Sequence, residues 1–149
     1  MSIRLARLGA GLVFAALATA HPAGSAETVD TREAVMRTET ERVFILEQMR
    51  LFLTTLAAID EDLAAGDVAK AGTDAALRGR KANPRPAALG QKESEAWKGM
   101  MGNVRGGFDE IAAAAGSGAT TQQVLGLLAG TTRNCVACHQ SYRIVVSGP

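Results

Sequence analysis

Cys135-Val136-Ala137-Cys138-His139 sits inside a run of Val124, Leu128, Thr131, Cys135, Cys138, Tyr142 and Val145. That four-three spacing predicts one amphipathic helix reaching nearly to the C-terminus. C-x-x-C-H is the sequence to which c-type haem is attached. The two thiols add across the haem vinyl groups as thioethers, and the imidazole beside the second thiol binds iron. On a helix turning about 100° per residue, Cys138 lies about 60° from Cys135 and His139 about 40° to its other side. All three face one way, and the cysteines take seam positions on the helix.

Two other chemistries use such residues. A structural zinc site needs four ligands, usually Cys or His. Beyond the N-terminal segment described next, the chain offers only Cys135, Cys138 and His139. A thioredoxin-like C-x-x-C belongs beside a βαβ pattern, which this long helical pattern does not provide.

The chain opens with Arg4 and Arg7, then the apolar run Leu8 to Ala20, then small residues ending in Gly24-Ser25-Ala26. A charged start, a short apolar middle and a small-x-small end describe a secretory signal peptide. The run is shorter than the about 20 apolar residues of a transmembrane helix. Cleavage is expected after residue 26, with Ala20 as the alternative, and the product is expected in the periplasm. Removing 26 of the 149 residues leaves 123, a length for one domain spanning 27–149. The segment holds two of the 16 basic residues and no acid, which leaves 14 basic against 15 acidic side chains, a net charge of −1. That balance points to neither nucleic acid nor an anionic membrane. Both cysteines belong to one motif, so no disulfide framework is available.

Thr38-Glu39-Thr40-Glu41 has the spacing of a capping box and starts the first helical pattern, with residues 31–37 a candidate upstream extension. Ile45, Met49, Phe52, Leu56, Ile59 and Leu63 fall within about 80° of arc, and Leu46 and Leu53 widen the stripe. Gly66-Asp67 ends this helix, and Asp67 can cap a short second one over Val68 to Leu77 with a small-residue face. Pro84 and Pro86 rule out a regular helix in the link from Gly79 to Gly90. That link is basic, through Arg78, Arg80, Lys81 and Arg85, and reads first as a solvated loop and second as a docking patch for an acidic redox partner. A third pattern runs from about Gln91 to Ala115 through Trp97, Met101, Val104, Phe108 and Ile111, closed by Gly116-Ser117-Gly118. The fourth starts at Thr120, whose partner Gln123 makes another capping box. No stretch has a period-two strand pattern, so the expected class is all-α, an antiparallel four-helix bundle.

With four such helices and Cys135-Val136-Ala137-Cys138-His139-Gln140-Ser141-Tyr142-Arg143 in the last of them, the chain resembles the cytochrome c′ family, including its low-spin, methionine-ligated members. The resemblance implies one covalent haem c per chain, with His139 as the proximal iron ligand and Arg143 beside it. Four residues after His139, Arg143 is independently expected on the same helix face. The family also has an arginine on the first helix near a haem propionate, and Arg42 matches by position. The distal group belongs on the first helix, where Leu46 and Met49 both qualify. Met101 is on the third-helix stripe, whereas Met36, about 180° from Ile45 on an extended helix, faces outward. Relatives often dimerise through their first two helices, which implies a homodimer.

The leading expectation is a periplasmic electron carrier serving redox partner proteins, with Met49 raising the potential as second axial ligand. The alternative is a five-coordinate haem protein binding nitric oxide or carbon monoxide, with Leu46 above the iron. A third class is an accessory subunit that needs a particular partner. Catalysis is not expected, because a peroxidase needs a distal acid-base group and beyond the motif the exported chain has no second histidine.

Overall fold

Local capping chemistry sets where each helix begins. In a computed structural model, which describes residues 29–82, 89 and 93–147, Thr38 caps α1 (Glu39–Ala64) through the expected reciprocal box with Glu41. Asp67 caps α2 (Val68–Ala76) by accepting from the Lys70 amide. Ser94 caps α3 (Glu95–Gly116) by accepting from the Trp97 amide, so this helix starts four residues later than its apolar pattern suggests. Thr120 caps α4 (Thr121–Ser141) in a second box with Gln123. Each such cap satisfies amides that the first helical turn leaves without partners, worth about 1 kcal/mol. Gly66 and Gly118 end α1 and α3 at positive φ, 78° and 80°, where a side chain would strain the backbone.

The protein is mostly helical, with four helices among the described residues. Residues 31–149 form one unit and 1–30 another, of which only Val29 and Asp30 are described. The expected signal peptide and the proline-containing part of the basic link therefore lie outside the described residues. No helix among the described residues is long and apolar enough to cross a membrane.

Two expectations are corrected at the chain ends. Residues 31–37 do not extend α1, and α4 does not run on through Val145. Glu33–Arg37 is strand β1 and Tyr142–Val146 is strand β2, paired in parallel from Glu33 opposite Tyr142 to Arg37 opposite Val146. The four helices form the crossover that a parallel pair requires. Tyr142 takes an extended backbone, φ −126° and ψ 148°, and its Ile144-Val145-Val146 continuation is β-branched, which favours a strand. The class is thus helical with a two-stranded ribbon. Met36 lies on β1 and is 50% exposed, so its exclusion from the core stands on a different element.

Helix α2 packs against both α1 and α3, and α3 packs against α4, while α1 and α4 scarcely touch. The small face of α2 allows the close approach expected of it: a Cβ added at Gly72 would lie 2.5 Å from the Ala115 Cβ. Phe52 of α1 stacks on Phe108 of α3, ring centroids 5.6 Å apart. Phe108, Ile59, Ile111 and Val124 are fully buried, each contributing about 1.5–3 kcal/mol of transfer free energy. The ribbon joins this core where the Tyr142 ring meets Trp97 edge-on, with 5.2 Å between centroids.

Candidate cofactor cavity

Because α1 and α4 stand apart, a cavity of about 750 Å³ opens between them, floored by α3. That volume is within the about 300–1,000 Å³ usual for ligand sites. From α4 it takes Cys135, Cys138 and His139, all three residues of the C-x-x-C-H motif. From α1 come Arg42, Leu46 and Met49, and from α3 come Trp97 and Met101. Arg143 enters from β2 and Arg32 from the residue preceding β1. Every site residue expected from the sequence therefore lines this one space. The cavity admits Leu46, Met49 and Met101 alike, and Met49 and Met101 also share a second cavity of about 20 Å³ beside Trp97, Gln48 and Arg105.

The positions follow from the helix seams. Val124, Leu128 and Thr131 are buried on α4 and seat it against α3, and the same stripe carried onward gives Cys135 and Cys138. Cys138 is 8% exposed and Cys135 is half-buried, its thiol donating to the Thr131 carbonyl at 3.6 Å. Burial pushes the Cys135 thiol above its ordinary range, and burial followed by the neighbouring Cys135 does the same for Cys138. Both thiols are free and line the cavity, and their burial favours the protonated form.

Arg143 reaches the cavity by a different route from the one expected. It lies on β2 rather than one turn along the His139 helix, and its Nε donates to the Arg32 carbonyl at 3.3 Å. Arg32 Nη1 in turn donates to the carbonyl oxygens of His139 at 3.1 Å and Tyr142 at 3.5 Å. These carbonyls belong to the C-terminal end of α4, where a cation is favourable. Arg42 is at the α1 edge of the cavity and donates to Glu39 at 2.9 Å. Sequence reasoning missed Arg32, Trp97 and Tyr142 as cavity residues. The aromatic pair was visible only as core positions, and nothing local marks Arg32.

The lining suits a large apolar macrocycle carrying acidic edge groups. Ile45, Phe52, Leu56 and Val104 form apolar walls, four arginines line the cavity, and no Asp or Glu among the described residues does. Among those residues no three His, Cys, Asp or Glu side chains gather as a cage for a bare metal ion. The His139 imidazole and the Met49 and Met101 thioethers are side chains that could ligate a metal held in its own macrocycle. No family model, curated protein or solved structure matches this chain.

Proposed function

We propose that this chain is an exported c-type cytochrome that carries single electrons in the periplasm, its helices an antiparallel bundle around one covalent haem. The observation that supports it most is that Cys135, Cys138, His139 and Met49 line the same cavity, although Met49 is 86 positions before Cys135. When bound, haem supplies an iron that alternates between ferrous and ferric states. Cys135 and Cys138 give their thiols to the two thioether bonds. His139 would hold the iron through a ring nitrogen, and Met49 of α1 would hold it through a thioether sulfur, which would favour the ferrous state. Ile45, Phe52 and Val104 keep water from the centre, which limits the reorganisation that each electron transfer demands. Arg42 and Arg143 supply positive charge to acidic groups on the cofactor edge.

A second reading has its own support, since Leu46 lines the cavity beside Met49. Were Leu46 rather than Met49 to face the haem, the metal would be left free to bind nitric oxide or carbon monoxide. Absorption spectra of the purified protein, ferric and ferrous, with and without carbon monoxide, separate the two. A low-spin haem indifferent to carbon monoxide is expected of the carrier. A high-spin haem that takes it readily would transfer the assignment to gas binding, and a colourless protein would end both.

A further inference from the structure

Trp97 is the one tryptophan of the chain and is 6% exposed, yet its indole Nε1 is buried with no hydrogen-bond partner among the described residues. A buried donor in that condition has lost its hydration and gained nothing for it. Native proteins usually meet such a donor with a protein acceptor or an ordered water. The Arg37 guanidinium over the ring carries only donors and cannot serve. Trp97 lines the small cavity of about 20 Å³ as well as the large one. Phe44, Ile45, Met49 and Met101 wall the small cavity, with Gln48 and Arg105 as its other polar members. A single water needs about 10–15 Å³ of such space and a few polar partners. Gln48 has an amide that both donates and accepts, and Arg105 adds a guanidinium that already donates to the Gly79 carbonyl at 3.5 Å. The space has the size of one water and excludes a macrocycle.

We propose that the small cavity is a binding site for one internal water, which accepts the Trp97 indole N–H and donates to the Gln48 amide oxygen. The site is separate from the cofactor cavity and does not depend on the cytochrome reading. Met49 gives it a consequence for that reading, because this side chain lines both spaces. A flexible, unbranched thioether fills whichever gap is open to it. With water in the small cavity, Met49 is left the large one, where the proposed axial ligand belongs. Trp97 and Gln48 are then positioning residues for Met49.

The test is nuclear Overhauser spectroscopy of the protein as purified, any bound haem ferrous, with labelled amides and methionine methyls. A single tryptophan makes the indole N–H signal unambiguous. It should show a contact with water, of the sign that marks a residence longer than molecular tumbling. Gln48→Leu, which keeps the volume and removes the amide, should weaken that contact several-fold. The same variant should bring the Met49 methyl against the Phe44 ring, which lines the small cavity and not the large one. Gln122→Leu, at an exposed α4 position outside both cavities, should change neither contact. An indole with no water contact, or one whose signal moves when xenon is dissolved, would show a dry cavity and overturn the inference. So would an undiminished water contact in Gln48→Leu, and a Met49–Phe44 contact already present in the wild type would overturn the positioning role. The wild-type measurement needs no substitution, so a variant that fails to fold leaves the site decided. A protein isolated without bound haem would end the cytochrome reading, while the water site would still stand or fall on the indole contact.

Discussion

Arg37 Nη2 lies 3.0 Å from Glu93 Oε1, and both side chains are almost wholly buried. The pair ties the end of β1 to the residue before the cap of α3, and the Arg37 guanidinium stands 5.9 Å from the Trp97 ring centroid. Charges removed from water at such cost must stay matched. Arg37→Ala or Glu93→Ala should each destabilise the protein by about 3–5 kcal/mol, since one charge is left behind. Arg37→Met combined with Glu93→Leu should recover most of that loss. Urea unfolding of the four proteins measures the coupling, and additive single losses would show that the pair does not act as a unit.

Lys70 bridges Asp62 at 2.8 Å and Asp74 at 3.0 Å, fastening the start of α2 to the end of α1. Hydrogen bonds to Asp62 and then Asp74 hold its ammonium above the ordinary 10.5, and the Lys70 bond holds the Asp74 carboxyl below its ordinary 3.8. A depressed carboxyl adds stability that is present above 3.8 and is lost as pH falls through its folded value. A raised ammonium adds stability that is present below 10.5 and is lost as pH climbs through its folded value. Melting curves of Lys70→Met and wild type should differ between those limits and converge beyond them. Because Lys70 is exposed, added salt should narrow the difference. A gap that is constant across pH would mean that Lys70 acts through its stem, not its charge.

Covalent attachment predicts a particular thiol count. In the folded apo chain, burial keeps both thiols protonated, so iodoacetamide should react slowly at neutral pH and faster once the chain is unfolded. The holoprotein should show no reactive thiol even when unfolded, and acid-organic extraction should leave the chromophore on the polypeptide. Two titratable thiols in unfolded holoprotein, or haem that extracts freely, would refute the thioether bonds.

Met49→Leu removes a sulfur at nearly constant volume, so the fold should lose less than about 1.5 kcal/mol. If Met49 binds iron, the substitution converts a low-spin haem to a high-spin one with a lower potential that takes carbon monoxide. Met101→Leu, on α3, should leave the spin state unchanged. The opposite pattern would move the ligand from α1 to α3.

By itself the sequence determined the four helices and the shared face of Cys135, Cys138 and His139. Thr38, Asp67 and Thr120 cap through atoms within three residues of themselves, and Gly66 and Gly118 stop helices through their own backbone freedom. The seam from Val124 to Cys138 is likewise a property of one helix. For Tyr142–Val146 the local pattern pointed the wrong way, because Tyr142 and Val145 fit a helical spacing even though three β-branched residues in succession fit the strand that forms. What settles it is Glu33–Arg37, more than 100 positions earlier, whose amides and carbonyls offer a ladder that no local pattern reports. Tertiary structure alone likewise set Arg32 beside His139, and Met49 and Met101 around the same cavity. Distances between separate elements depend on how their side chains fill the space between them, and here α1 and α4 leave that space open.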